Sequence, residues 1–212
     1  MSYYPIYLNL KGRKCVVVGG GKVAERKVHS LIDGEAAVRV VSPEVTDGLK
    51  ALIDRQKVSY SRKKYEESDL EEAFLVIAAT DRAEVNARVY RDASRRNLLV
   101  NVVDAPEYCN FMVPAFIRRG DLLLSISTGG KSPALARKIR EKLEREFGKE
   151  YEPFLEIMGE LREKVLEQVE DSLLRRELFN RILDSDILDL LRQGKIESAR
   201  EKTWSLLKKW GL

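Results

Sequence analysis

Histidine and cysteine are scarce. The 212 residues hold one His and two Cys. One imidazole builds neither a metal cluster nor the partner set of a His-based triad, and Cys15 and Cys109 form no C-x-x-C pair. This excludes zinc-finger spacing and a disulfide framework, and it points to a reducing compartment. His29 falls within a helical stretch and reads as a surface or partly buried helix residue. No metal ligand set is expected. EF-hand spacing, a G-x-S-x-G elbow and a Walker A lysine are also missing, which removes most hydrolase and NTPase readings. No apolar run approaches the ~18 residues of a membrane span, and no basic segment precedes an apolar one at the N-terminus. The expectation is a soluble, cytoplasmic protein without a membrane partner. An excess of one charge is lacking too: 38 Lys and Arg face 34 Asp and Glu, a formal +4. So mild a balance does not call for nucleic acid and fits an acidic small molecule.

What is present begins at Lys14. The stretch Lys14-Cys15-Val16-Val17-Val18-Gly19-Gly20-Gly21-Lys22-Val23-Ala24-Glu25-Arg26-Lys27 runs from an apolar strand through three glycines into helix formers. Gly19-x-Gly21-x-x-Ala24 is the dinucleotide fingerprint in the context it demands. Gly19 permits a tight turn, Gly21 lets a pyrophosphate approach the backbone, and Ala24 keeps the helix close to the sheet. The free N–H groups at the helix start, through Lys22 and Val23, are placed to hold a diphosphate. The alternative is a plain βα turn.

Strands are predicted at 14–18, 37–41, 58–61, 74–79 and 98–103. Helices are predicted at 22–33, 44–56 and 83–96, with a short one beginning at Ser68. This alternation argues an α/β fold with a Rossmann-like, doubly wound parallel sheet. Residues 3–10 read as a lead-in packed beside the first strand. After Asn110 the pattern changes to a hairpin, 111–117 and 122–127. The loop Thr128-Gly129-Gly130-Lys131-Ser132-Pro133 follows, with Ser132 as N-cap and Pro133 at the first helical position. A helix then runs to Phe147, with Leu135, Ile139, Leu143 and Phe147 along one face. Beyond Tyr151 only helices are expected. Leu155, Met158, Leu161 and Val165 mark one, followed by 173–183, 187–191 ended at Gly194, and 198–210.

Several residues are candidates for chemistry. Strand two ends at Ser42, where NAD folds often carry an acid, and Pro43 and Glu44 follow. Backbone groups of Ser42-Pro43-Glu44 are placed to contact a ribose, and no arginine stands there to read a 2′-phosphate, so NAD is favoured over NADP. Thr80 ends the fourth strand and either contacts the cofactor or, with Asp81, caps a helix. Asp104 ends the next strand. A carboxylate beside a nicotinamide site accepts a proton as hydride leaves the substrate; the alternative is an Asp capping a turn before Pro106. Thr128, Gly129, Gly130, Lys131 and Ser132 form a second anion cradle. Arg118, Arg119, Arg137, Lys138 and Arg140 lie around that loop, either as a solvated basic face or as a site for a ligand with several carboxylates.

Tyr-Pro-Ile at 4–6, Val-Val-Gly-Gly-Gly-Lys-Val-Ala-Glu-Arg-Lys at 17–27, Ala-Ala-Thr-Asp at 78–81 with Asn86, Asn-Val-Val-Asp-Ala-Pro at 101–106 and Ser-Thr-Gly-Gly-Lys-Ser-Pro-Ala-Leu-Ala-Arg at 127–137 occur in order. With them the chain resembles the precorrin-2 dehydrogenase family, which includes the N-terminal part of multifunctional siroheme synthases. The resemblance is strong from 5 to 147 and weak in the helical tail. It implies NAD-dependent oxidation of precorrin-2 to sirohydrochlorin, with Fe²⁺ insertion in some members, by a homodimer. It implies an NAD-binding Rossmann domain at 1–113, a small α+β dimerisation segment at 114–147 and an all-helical tetrapyrrole-site region at 148–212. The family's functional aspartate matches Asp104. Its loop serine falls at Thr128, which keeps the hydroxyl and departs from serine. No methyltransferase domain follows before Leu212, so uroporphyrinogen methylation is not expected. Two other readings compete. A bare ferrochelatase sits poorly with the intact glycine motif. An NAD-binding regulatory module without catalysis leaves 101–106 and 127–137 unexplained.

Overall fold

The computed structural model describes residues 3–208, and the end of the helix predicted at 198–210 lies outside them. The chain forms two compact units that divide between Val113 and Pro114.

The first unit contains β1 (Lys14–Val18), α1 (Lys22–Asp33), β2 (Ala37–Val41), α2 (Asp47–Asp54), β3 (Ser59–Ser61), β4 (Leu75–Ala78), α3 (Ala83–Arg95) and β5 (Leu99–Val102). All five strands are parallel, in the order β3-β2-β1-β4-β5. The chain steps outward from β1 to β3 and then returns to the other side of β1. That reversal opens a crevice at the carboxyl ends of β1 and β4. β1 and β4 are almost wholly apolar because both sheet faces are covered. The two-residue period sorts β1 between two cores: Val16 and Val18 join one, Cys15 and Val17 the other. α1 closes the second core with Ala24, Val28 and Leu31.

Two expectations are corrected here. The helix predicted at 44–56 is shorter, because Thr46 adopts an extended backbone and accepts the Leu49 N–H at its own N-cap. Thr46 also donates its N–H to Gly20 O at 3.0 Å and its hydroxyl to Glu25, which ties the start of α2 to the glycine loop. The lead-in at 3–10 does not pack along β1. Tyr4, Ile6 and Tyr7 are exposed, and Leu10 is the residue that reaches the core. β1 already spends both hydrogen-bonding edges on β2 and β4, so no edge is left for it.

The second unit begins with the hairpin β6 (Ala115–Arg119) and β7 (Leu122–Ile126), turned at Gly120 with φ +55°. β6 starts later than predicted because Phe111 belongs to the first unit: its carbonyl accepts from Asn101 Nδ2 at 3.1 Å. α4 (Pro133–Glu146) starts as expected, with Ser132 Oγ accepting the Leu135 N–H at 3.2 Å. Its predicted apolar face is not a buried stripe, since Leu135 is 50% exposed and Ala136 is the buried residue. α5 (Tyr151–Gln168), α6 (Ser172–Leu183), α7 (Ile187–Arg192) and α8 (Ile196–Lys208) share one core. In α5 the buried line is Phe154, Ile157, Leu161 and Val165, so Leu155 and Met158 flank it. Among the described residues no helix is long and apolar enough to cross a membrane.

Candidate functional site

A cleft of about 620 Å³ opens at the carboxyl ends of β1, β2 and β4. Gly19, Gly21, Ser42, Pro43, Glu44 and Thr80, all singled out from sequence, line it together with Gly20. Lys22, Val23 and Ala24 form the first turn of α1 and are not part of the lining; Ala24 is fully buried against the sheet.

Sterics explain the glycines. Gly19 has φ +125°, and a Cβ there would stand 2.3 Å from Ala79 O. A Cβ at Gly20 would stand 1.9 Å from Glu44 O. Both glycines let backbone segments touch. Gly21 differs, because a Cβ there meets nothing within 4 Å. Gly21 is also the N-cap of α1, and no side chain caps that helix. The open space and the uncapped N–H groups suit an anionic diphosphate, so these residues fit a dinucleotide.

The ribose end carries no carboxylate at position 42. Ser42 is buried, its carbonyl accepts from Tyr60 Oη at 2.9 Å, and Pro43 O accepts from Arg62 Nε at 3.3 Å. A guanidinium therefore reaches Pro43, although Arg62 is not among the residues that line the cleft. It arrives from beyond β3, which pairs with β2 so that Val41 faces Ser61.

Sequence reasoning missed other parts of the wall. Thr46, Lys64, Tyr65, Asp81, Arg82 and Arg88 also line the cleft. Tyr65 Oη donates to the buried Asp92 at 3.0 Å, and Arg88 lies over the Tyr65 ring. Burial and the Asp92 carboxylate push the Tyr65 phenol well above its usual range. The Lys64-Tyr65 pair follows a three-residue strand and has no motif; parallel pairing alone brings it to the crevice. Thr80 is committed locally: its hydroxyl donates to Asn86 Oδ1 at 2.8 Å and accepts the Arg82 N–H at 3.2 Å.

Asp104 is exposed and does not line this cleft. It follows β5 with φ +59°, in the left-handed region that costs a non-glycine residue energy. Val103, its neighbour, packs in the core that holds Ala24 and Val28, and Lys27 of α1 lies within electrostatic reach of Asp104 and Cys109. Burial first and Arg26 second hold the half-buried Lys27 ammonium below its usual pKa, while Cys109 and Asp104 act in the opposite sense. Lys27 is part of the fingerprint helix, but nothing in its spacing foretells this neighbour. His29 is exposed on α1. Among the described residues no group of three or more His, Cys, Asp or Glu is gathered as a metal site requires.

The loop 128–132 lies in the second unit. Thr128 Oγ1 accepts the Ser132 N–H at 3.1 Å, and Gly129 and Gly130 have φ +61° and +80°. Gly129, Gly130 and Lys131 are exposed, and a Cβ on either glycine meets nothing. Ser132 Oγ is used as the α4 cap.

Comparison with known proteins agrees with this arrangement. A family model described as "Putative NAD(P)-binding" matches residues 6–115, one described as sirohaem biosynthesis protein central matches 119–146, and one described as sirohaem synthase dimerisation region matches 150–207. The siroheme synthase of Photobacterium profundum is 39% identical over 206 residues, covering 97% of this chain and 44% of that protein. The siroheme synthase of Methylobacillus flagellatus is 39% identical over 207 residues, covering 98% and 44%. The chain thus spans less than half the length of these relatives. Among solved structures, SirC, a precorrin-2 dehydrogenase, superposes with TM-score 0.75 at 30% identity, over 94% of this chain and 100% of that one.

Proposed function

This chain belongs to the precorrin-2 dehydrogenase family, and on that premise we propose that it oxidises precorrin-2 to sirohydrochlorin with NAD, in siroheme biosynthesis. The observation that carries the reading is the glycine loop: its third glycine opens on the cleft, and α1 behind it lacks a side-chain cap. The relatives named above bear enzyme names, which speaks for catalysis over a regulatory module.

Bound there, the cofactor supplies a hydride acceptor. The protein does the rest. Gly19 and Gly20 hold the loop tight against β4 and the Ser42–Glu44 segment, and Gly21 with the first turn of α1 (Lys22, Val23, Ala24) takes the diphosphate. Ser42, Pro43, Glu44 and Thr80 flank the nucleotide. Dehydrogenation also releases a proton, and Asp104 accepts it. Thr128, Gly129, Gly130, Lys131 and Ser132 offer donors and a cation to substrate carboxylates. The cytoplasm is the proposed location. A homodimer is the proposed assembly. The model described as a dimerisation region matches 150–207, so the dimer contacts are proposed to extend beyond 114–147 into the helical region.

Mixing the protein with precorrin-2 and NAD is expected to yield NADH and sirohydrochlorin together, read by absorbance. Asp104→Ala is expected to bind NAD normally and to turn over roughly 100-fold or more slower, the range for a lost general base; full turnover refutes its role. Fe²⁺ insertion into sirohydrochlorin, with Fe²⁺ as substrate, is a separate proposed activity. It is assayed with Fe²⁺ and sirohydrochlorin alone, and an unchanged sirohydrochlorin spectrum refutes it.

A further inference from the structure

The Asp104 carboxylate has a charged neighbour in Lys27, which acts on it through space. Among the described residues it has neither a hydrogen bond nor an ion pair, so the backbone of residues 102–105 sets the direction in which the side chain leaves the chain. That backbone is unusual. Val103 N–H still bonds Ala78 O at 2.9 Å, as an extension of the sheet. Asp104 then turns left-handed at φ +59°, and Ala105 leads into a 3-10 turn, Pro106–Tyr108. The direct backbone bond across the turn, Ala105 N to Val102 O, is long at 3.4 Å.

The thiol of Cys109 lies inside this turn. Cys109 Sγ accepts the Val102 N–H at 3.2 Å and stands 3.3 Å from both Val102 O and Ala105 O, to either of which it donates. One sulfur therefore ties together the residues on both sides of Asp104. Burial pushes the thiol upward in pKa, so it stays protonated and keeps its donor. We infer that Cys109 is a positioning residue for Asp104: its thiol clasps the left-handed turn and fixes the direction of the carboxylate. This rests on the proposed role of Asp104 as proton acceptor.

The test compares single and double variants of the whole chain in the precorrin-2 and NAD assay. Cys109→Ala is expected to lower kcat by roughly 10- to 100-fold, the scale of an ångström-sized misplacement, with KM for NAD within about twofold. Cys109→Ser keeps a donor and an acceptor at the same place and is expected to recover most of the rate. In an Asp104→Asn background the alanine change is expected to alter the residual rate by less than about twofold, because the group it acts through is gone. Equal losses in both backgrounds overturn the inference, as does full kcat in Cys109→Ala. If the alanine protein does not fold, Cys109→Val fills the volume without hydrogen bonds and carries the same comparison. Loss of NAD binding along with turnover in every Cys109 variant assigns the residue to the general fold and also overturns the inference. Undiminished turnover in Asp104→Asn refutes the role of Asp104 itself, so the two failures are told apart.

Discussion

Adjacent glycines in one loop have different jobs, and substitution separates them. Gly20→Ala drives a Cβ to 1.9 Å from the Glu44 carbonyl, so backbone must move. A loss of about 1–3 kcal/mol in unfolding free energy is expected, as for other overpacked sites. Gly21→Ala meets nothing in the protein. Its denaturation midpoint is expected to stay within error of the parent while its NAD affinity falls at least about tenfold, because the methyl occupies the diphosphate's space. Urea titration and NAD binding read the two effects independently. Cys15 makes a prediction of another kind. It is fully buried in β1, and burial raises its thiol to about 11 from an ordinary 9.0. Between those values the unfolded chain releases this proton and the folded chain keeps it. Stability from this source is therefore whole below about pH 9 and is lost as pH rises through about 11, at up to about 1.4 kcal/mol per pH unit. Cys15→Val is expected to flatten that part of the decline in unfolding free energy measured from pH 8 to 11.

At the scale of elements, the cleft wall depends on a residue outside it. Asp92 sits on α3 with its side chain nearly inaccessible. It receives Tyr65 Oη at 3.0 Å and Arg95 at 2.6 Å, with Arg88 Nε at 3.7 Å. It thereby fastens α3 to the segment after β3. Asp92→Ala leaves the Tyr65 hydroxyl buried without its acceptor, for an expected cost of about 1–3 kcal/mol. It also frees two residues of the cleft wall, so NAD affinity is expected to fall with stability, both measured in one thermal-shift titration. None of this was legible beforehand, because Tyr65, Arg88 and Asp92 share no motif and meet only through the strand order. The elements themselves were legible for a physical reason. β1 and β4 are apolar runs of strand length, and α1 announces its start with glycine and a helical apolar face. The boundaries that failed did so where a neighbour decided: Thr46 capping α2, and Asn101 holding Phe111 back from β6. Arg62 was hidden in the same way, being far from Ser42 in sequence and brought beside it by the β2–β3 register.

Each of the two units packs its own interior, and each is answerable separately. Leu161 is fully buried among the helices of the second unit. Leu161→Ala is expected to cost about 2–5 kcal/mol there. NAD affinity is expected to stay within about twofold, which calorimetry with and without NAD measures. The strand and helix order of the nucleotide unit could be read from sequence, because its fingerprint states its own context. The helical unit could be read as helices but not as an arrangement, since apolar stripes such as that of α4 do not say what covers them. One detail of the first unit reaches beyond the site. β5 is an outer strand of the sheet, yet Asn110 takes its free positions, accepting the Val100 N–H at 2.8 Å and donating to Leu98 O at 2.8 Å. A side chain amide thus plays the part of a sixth strand, and it follows directly on Cys109. Displacing Asn110 from that strand would therefore bare an adhesive border of the sheet, along which copies of the protein could zip together edge to edge.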